Sequence, residues 1–451
     1  MPASPPRILI KPGSVVTMDA SRRVLDGGAL VVGGSSIESV LSAPELAAMP
    51  PFDGTVLDAP ALTAIPGFIQ THIHLCQTLF RGLADDLELL DWLRLKIYPF
   101  EAAHNAASMR ASAMTGIAEL IRSGTTTIMD MGSVDNEEEI AAAVEETGLR
   151  AFIGKAMMDS NDVYPALRES TEEALRSTLT QAERWHGKGD GRMKYAVAPR
   201  FVLSCSDPLL TEAHAMTASF PGMLFHTHAA ENRREMEAVR KRCGADNIEF
   251  FEKLGILRAN TCLAHCIWIS ENEVALLRER EAKVLHCPTS NLKLGSGIAR
   301  IPELLSRGIS VSLGADGAPC NNTLDIFQEM RLAALIQKPL HGPSAMTAGT
   351  VFELATRGGA AALGLGGETG SLEPGKKADL ALLDLGRLWN PAVETNPYSA
   401  IVYSGSPENV RYVMIDGRWV YRDGAHMTIR AGAVAESAKK QLKLLLDRVH
   451  P

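Results

Sequence analysis

Eight short, apolar, β-rich runs alternate with helical segments through the middle of this 451-residue chain. Strands are predicted at residues 63–74, 125–131, 150–156, 194–199, 223–228, 260–265, 283–286 and 309–316. Helices are predicted between them at residues 106–122, 137–147, 171–185, 233–242, 272–280 and 302–307. Eight β/α units favour a (β/α)₈ barrel, although a doubly wound parallel sheet shares the alternation. In a barrel, catalytic residues lie at the C-terminal ends of the strands.

Both ends of the chain show another pattern, of short β runs broken by glycine, proline and serine. These runs are 7–10, 14–18, 29–32 and 37–40 near the start and 379–383, 410–415 and 419–421 near the end. Chain termini often lie close together in a domain. The sequence therefore predicts an α/β protein. Its catalytic barrel spans residues 63–369, and a small β-sandwich domain is assembled from residues 1–62 and 370–451.

Composition excludes several classes of protein. The net charge is −8 and basic residues do not cluster, which argues against a nucleic-acid partner. No apolar run reaches the roughly 18 residues of a membrane helix, and the first seven residues lack a signal-peptide core. The seven cysteines form no Cys-x-x-Cys pair, which is typical of reduced thiols. We expect a cytoplasmic enzyme that forms a homo-oligomer.

Histidines stand where the predicted barrel strands end. His72 and His74 close the first strand, and alternate residues of a strand point to the same face. Alone, this pair also fits a polar strand end with two incidental histidines. Further polar residues close the later strands: His228, His265, His286 and Asp316. Convergence at five strand ends indicates one shared site.

Three imidazoles and a carboxylate suit a divalent metal, with Zn²⁺ expected first and Fe²⁺ as the alternative. The predicted ligands are His72, His74, His228 and Asp316. His226 is a rival to His228, which is preferred because Glu231 follows it by three residues where the chain leaves the strand. A metal lowers the pKa of its water toward about 7. Asp316 is expected to take the proton of that water as well as to ligate.

Two further residues are candidates for proton chemistry. Glu231 is predicted to shuttle a proton to the substrate, although a carboxylate in a first helical turn is also stabilising there. His265 is predicted to orient the attacking hydroxide, or else only to support a ligand. Competing signatures are absent from the sequence, including His-Glu-x-x-His, Gly-x-Ser-x-Gly, the P-loop and the Pro-Cys-x-x-Cys of small zinc deaminases.

Taken together, these motifs resemble the amidohydrolase superfamily, in its branch of metal-dependent deaminases and triazine hydrolases. The resemblance rests on residues 66–74, 228–231, 263–266, 314–317 and the closing segment 370–380. It implies a distorted (β/α)₈ barrel with one catalytic metal, and it implies the roles given above to the histidines, Glu231 and Asp316. The fourth strand ends in Ala198-Pro199-Arg200 without the lysine of two-metal members, which favours a mononuclear site.

Within that branch, the segments 79–86 and 286–294 look most like deaminases of 5′-deoxyadenosine, 5′-methylthioadenosine and S-adenosylhomocysteine. The resemblance implies that Trp92 packs on the 5′ substituent and that Glu101 holds the ribose hydroxyls. It places His286 near the ribose or the base. Without the resemblance, Trp92 could equally be packed in the core and Glu101 could be a solvated surface charge.

Two residues are instead similar to those of guanine deaminases, namely Gln77 and Arg200. A guanidinium offers only donors and suits a carbonyl or a ring nitrogen. Adenine also has ring acceptors, and residues 316–322 resemble the nucleoside and triazine group instead. We predict hydrolytic deamination of a 5′-modified adenosine nucleoside, with water and an aminated heterocycle as partners. The alternative is an aminohydrolase of an oxo-purine, pterin or triazine. A non-catalytic barrel protein is disfavoured because all of the chemical residues are retained.

Overall fold

A closed barrel of parallel strands forms the centre of the computed structural model, which describes residues 7–387 and 395–449. Seven strands follow one another around it: Phe68–His74, Thr125–Asp130, Arg150–Ile153, Met193–Pro199, Leu224–Ala229, Thr261–His265 and Lys283–His286. The eighth is interrupted. Val311–Leu313 pairs with the seventh strand, and its continuation Asp316–Gly317 pairs with the first. The sheet therefore closes on itself, and the predicted (β/α)₈ barrel is confirmed.

Helices cover the outside of the barrel. The longer ones are Ala106–Arg122, Glu137–Thr147, Thr171–Trp185, Asp207–Met216, Arg233–Cys243, Asn247–Lys253, Glu271–Glu279, Ile326–Ile336 and Ala348–Leu354. Shorter ones at the rim include Leu89–Trp92, Tyr98–Ala102, Pro288–Lys293, Ile301–Ser306 and Ala318–Asn321. Capping residues set the ends of these helices. Asn105 caps one helix by accepting a hydrogen bond from the backbone N–H of Ser108, and Gly148 ends another in a left-handed conformation.

A second sheet is built from both chain ends. Its nine strands are Arg7–Val16, Val24–Asp26, Ala29–Gly33, Ser36–Leu41, Thr55–Pro66, Leu380–Leu383, Val410–Ile415, Arg418–Arg422 and Ala425–His426. The central strand Thr55–Pro66 pairs with Arg7–Val16 on one side and with Leu380–Leu383 on the other. It runs four residues past the predicted domain boundary at residue 62. Residues 1–6, 388–394 and 450–451 of the predicted terminal domain lie outside the described residues.

A buried ion cluster joins this sheet to the barrel. Arg150 begins the third barrel strand, and its side chain is 2% exposed. Its Nε donates to Asp379 over 2.6 Å, and one terminal nitrogen donates to Asp416 over 3.0 Å. Burial lowers the pKa of Arg150, but the charge of Asp379 outweighs it and leaves that pKa raised. The guanidinium therefore stays charged where the two sheets meet.

The last helix, Ala431–Val449, packs on the barrel helix Ala106–Arg122. Leu445 is fully buried in a cluster with Phe80 and Phe100, and Arg448 donates to the carbonyl of Ala103 over 2.6 Å. Residues 431–449, which the sequence patterns assign to the terminal β domain, thus form a helix against the barrel. Among the described residues, no helix combines the length and apolarity needed to cross a membrane.

Candidate active site

Four potential metal ligands converge at the C-terminal ends of the barrel strands. The ligand atoms of His72, His74, His228 and Asp316 all lie within 4.8 Å of one another. The Nε2 atoms of His72 and His74 are each 3.3 Å from Asp316 Oδ1. Three imidazoles and one carboxylate converging on one point form a donor set that suits a divalent ion.

Hydrogen bonds behind the cluster fix which histidine nitrogen faces it. His72 Nδ1 lies 2.8 Å from His226 Nε2, and His228 Nδ1 lies 2.7 Å from the carbonyl oxygen of Arg200. Each bond leaves the Nε2 atom of the ligand turned toward the centre, as a metal site requires. His226 therefore supports His72 from behind and does not join the ligand cluster.

The backbone around Asp316 is strained. Asp316 has φ 62° and His265 has φ 73°, both in the left-handed region that residues other than glycine rarely adopt. Strain of this kind is held in place by surrounding contacts and clusters at active sites. Here Ser290 donates to Asp316 Oδ2 over 2.7 Å. Burial raises the pKa of Asp316, but the hydrogen bond and charge of His72 outweigh it, so that the pKa lies well below its usual range.

Glu231 and His265 lie beside the ligands. His265 Nε2 is 3.4 Å from Glu231 Oε2 and 3.8 Å from Asp316 Oδ2. Burial, followed by the charge of Asp316, raises the pKa of Glu231 well above its usual range. His265 Nδ1–H donates a hydrogen bond to Asn291 Oδ1 over 2.8 Å. Sequence reasoning missed this orienting role, although Asn291 lies in the 286–294 segment that it singled out.

A small cavity opens on these residues. Its polar lining includes Gln77, Arg200, Glu231, His265 and Asp316. Its apolar walls are Leu89, Trp92, Leu93, Phe201 and Leu294. The volume is about 30 Å³, whereas ligand sites usually measure roughly 300–1,000 Å³. Binding an aminated heterocycle therefore requires the walls to move apart.

Glu101 and His286 are buried but do not line this cavity. Arg200 donates to both Glu101 oxygens over 2.6 and 3.1 Å, and Gln77 Nε2 donates to Oε1 over 2.8 Å. With 4% of its surface exposed, Glu101 is not a solvated surface charge, and that alternative is wrong. Burial, followed by the charge of His265, lowers the pKa of His286 to about 3. Trp92 both lines the cavity and packs in an apolar cluster.

Comparison with known proteins identifies the family to which this arrangement belongs. Residues 63–420 match the sequence pattern of the amidohydrolase family. The chain is 40% identical to a 5′-deoxyadenosine deaminase of Methanothermobacter thermautotrophicus, over 92% of this chain and 95% of that protein. It is 38% identical to a 5-methylthioadenosine/S-adenosylhomocysteine deaminase of Syntrophobacter fumaroxidans, over 96% and 97% of the two chains.

A solved structure is similar over its full length. The crystal structure of an adenosine deaminase from Xanthomonas campestris with bound zinc superposes with a TM-score of 0.89 at 29% identity, covering 99% of this chain and all of that one. The chain therefore belongs to the amidohydrolase family. The predicted class of enzyme, a hydrolytic deaminase of that family, is confirmed.

Proposed function

We propose that this protein is a metal-dependent hydrolytic deaminase of 5′-modified adenosine nucleosides. The expected substrates are 5′-deoxyadenosine, 5′-methylthioadenosine, S-adenosylhomocysteine and adenosine, each releasing ammonia. The observation that carries the reaction is the position of Glu231 and His265 beside four converging ligands. The substrate class is supported by the names of relatives that are 38–40% identical over more than nine-tenths of this chain.

One divalent ion, with zinc expected first and iron as the alternative, fits the ligand cluster. The Nδ1 atoms of His72 and His228 are already engaged, by His226 and by the carbonyl oxygen of Arg200, so the Nε2 atom of each ring is the one turned toward the ion. When bound there, such an ion activates a water as a nucleophile near neutral pH. The bound zinc of the Xanthomonas campestris structure supports the choice of metal.

The remaining residues supply proton transfer and orientation. Burial and the charge of Asp316 raise the pKa of Glu231, which favours its protonated form as the proton donor to the ring nitrogen next to the amino-bearing carbon. Asp316, with its lowered pKa, is ionised and is placed to accept a proton from the water. His265, held through Nδ1 by Asn291, turns Nε2 toward both carboxylates and orients the nucleophile.

Metal binding by two variants distinguishes the roles of His226 and His228, the two histidines of the fifth strand. His228→Ala removes a ligand, so we expect the purified variant to lose bound metal. His226→Gln leaves all four ligands in place and removes only the support of His72, so we expect it to keep one metal per chain with affinity about 10–100-fold weaker. Elemental analysis and competition with a chelator measure both. Two metals per chain in the wild type, or metal loss from His226→Gln with full occupancy in His228→Ala, would contradict this ligand set.

The pocket walls support a nucleoside with an apolar 5′ group. Leu89, Trp92 and Leu93 come from consecutive helical turns and line the cavity, and an aliphatic or thioether substituent gains by packing against them. The contact between Glu101 and the ribose hydroxyls stays a prediction, because both Glu101 oxygens are engaged by Arg200 and Gln77. A role for His286 near the ribose or the base likewise stays a prediction.

Ammonia release from a panel of substrates tests the proposal. We expect 5′-deoxyadenosine and 5′-methylthioadenosine to exceed adenine and guanine in kcat/KM by about tenfold or more, since each ribose hydrogen bond to a charged partner contributes about 1.5–3 kcal/mol. A chelator should abolish release and added zinc should restore it. Turnover of guanine above every nucleoside would refute the nucleoside assignment.

A second candidate is an aminohydrolase of an oxo-purine, a pterin or a triazine. It is favoured by Arg200, which lines the cavity and whose guanidinium offers N–H groups suited to a carbonyl. The same panel, extended with pterins and triazines, decides between the two. A cytoplasmic location is supported by the seven cysteines, all free and six of them buried. A homo-oligomeric state stays a prediction.

A further inference from the structure

One hydrogen-bond acceptor in the cavity has no protein partner. Gln77 lines the cavity and is 1% exposed. Its Nε2 donates to Glu101, while its Oε1 finds no hydrogen-bond partner in residues 7–387 or 395–449. A buried polar atom left without a partner costs free energy. Because the cavity walls must move apart when a substrate binds, this oxygen gains a hydrogen bond if the substrate brings a donor to it.

A buried ion pair fixes the direction of that amide. Side-chain amides can turn by 180° and exchange their oxygen and nitrogen, so the surroundings must select one orientation. Glu101 is paired with Arg200 through both of its oxygens, and a carboxylate only accepts hydrogen bonds. It therefore holds the NH₂ group of Gln77 and leaves the carbonyl oxygen to the cavity. The Glu101–Arg200 pair thus decides that the cavity presents an acceptor.

The acceptor lies at the metal-binding end of the cavity. Gln77 follows the predicted ligand His74 by three residues, and Gly317 follows the predicted ligand Asp316 directly. A Cβ atom added to Gly317 would stand 2.1 Å from Gln77 Oε1, so this oxygen rests against the Gly317 backbone. Only glycine permits the approach. The carbon under attack and its amino group must occupy this end of the cavity.

We propose that Gln77 Oε1 accepts a hydrogen bond from the exocyclic amino group of the substrate, and that Glu101 is the positioning residue that turns the amide this way. This proposal rests on the deaminase function proposed above. In the reaction, water forms the new C–O bond, the C–N bond breaks and the nitrogen leaves as ammonia. An amino group offers N–H donors, whereas the oxo product presents a lone pair to the same oxygen. The site therefore selects amino leaving groups and disfavours its product.

Leaving groups without an N–H test the contact directly. The ratio of kcat/KM for adenosine to that for 6-methoxypurine riboside is measured on zinc-loaded wild type and on Gln77→Leu. Intrinsic leaving-group reactivity cancels when the two ratios are compared. We expect the ratio to fall by about three- to tenfold in Gln77→Leu, the value of one neutral hydrogen bond. The oxo product, inosine, should inhibit the variant more strongly than the wild type.

Glu101→Gln tests the positioning role, because an amide neighbour no longer forces one orientation on residue 77. The ratio of kcat/KM for adenosine to that for 6-methoxypurine riboside should fall in Glu101→Gln as well. In the double variant, Gln77→Leu with Glu101→Gln, this ratio should be no lower than in Gln77→Leu alone. Gln328→Leu makes the same change at an exposed position of the helix Ile326–Ile336, away from the cavity, and should keep the wild-type ratio. If Glu101→Gln fails to fold, the ratio measured on Gln77→Leu still tests the contact between Gln77 and the amino group.

An unchanged ratio in Gln77→Leu, with adenosine still deaminated, would overturn this proposal and leave the deaminase function standing. Absence of ammonia from every nucleoside in the metal-loaded wild type would instead overturn the proposed function, and the amino contact with it. Metal content and the thermal midpoint of each variant establish that the comparison is made on folded, loaded enzyme.

Discussion

Replacing Glu231 by glutamine is expected to lower kcat by about 10²–10⁴-fold while bound metal is retained. Glutamine keeps the shape of the side chain but has no acidic proton to give to the ring nitrogen. Glu231 lies 3.4 Å from His265 and does not belong to the four-residue ligand cluster, so its loss should not release the ion. Steady-state kinetics together with elemental analysis of the same sample measure both effects.

The pH profile gives a second readout for Glu231. Burial and the charge of Asp316 raise its pKa, so activity that depends on the protonated acid should fall as the pH rises through this raised pKa. In Glu231→Gln that alkaline decline should disappear. Glu237→Gln, an exposed position on the following helix, is the matched control and should behave as wild type. Loss of metal from Glu231→Gln would make Glu231 a ligand, and near-normal kcat would exclude it as the acid.

Replacing Arg150 by methionine should destabilise the fold by about 3–5 kcal/mol, as expected for a buried ion pair that loses one partner. Methionine has a similar length, so packing is largely kept, while Asp379 and Asp416 lose their guanidinium donor. Asp379 is fully buried, and its carboxylate cannot recover the lost interaction from water. The shift of the denaturant midpoint, with the slope held fixed, measures the loss.

Two further variants separate charge burial from packing at Arg150. Arg176→Met breaks an exposed pair with Glu173 and should change stability little. Adding Asp379→Asn to Arg150→Met removes the uncompensated charge and should recover part of the loss. A loss below about 1 kcal/mol in Arg150→Met would show that desolvation cancels the attraction within the pair. It would then be packing, and not this cluster, that joins the terminal sheet to the barrel.

Local patterns were sufficient for the order of the barrel strands and for several of the helices between them. The predicted helices at 106–122, 137–147 and 171–185 have the observed bounds, as does the seventh barrel strand, Lys283–His286. Periodicity of apolar residues and capping residues such as Asn105 act within a few residues of sequence, so they can be read directly from the chain. The predicted ligands also came from local pattern, because a parallel barrel brings its strand ends together.

Sequence patterns did not reveal contacts between distant segments. The closing strand is broken at Gly314 and Ala315, and only its pairing on both sides shows that the barrel is complete. The helix Ala431–Val449 was not predicted, and no local pattern could show that it packs on Ala106–Arg122, more than 300 residues earlier. Amphipathic pattern can indicate a helix but cannot name the surface on which it packs.

The sequence alone therefore determined the alternation of strands and helices, the residue types at the strand ends and the chemistry that those types permit. The tertiary structure decided which of these side chains meet. It set His226 behind His72 and not among the ligands, and it buried Glu101 against Arg200 and Gln77. The physical reason is the distance along the chain over which each kind of interaction acts. Propensity and periodicity act between near neighbours, whereas the direction of a buried amide or imidazole is fixed by partners that only folding brings within hydrogen-bond distance.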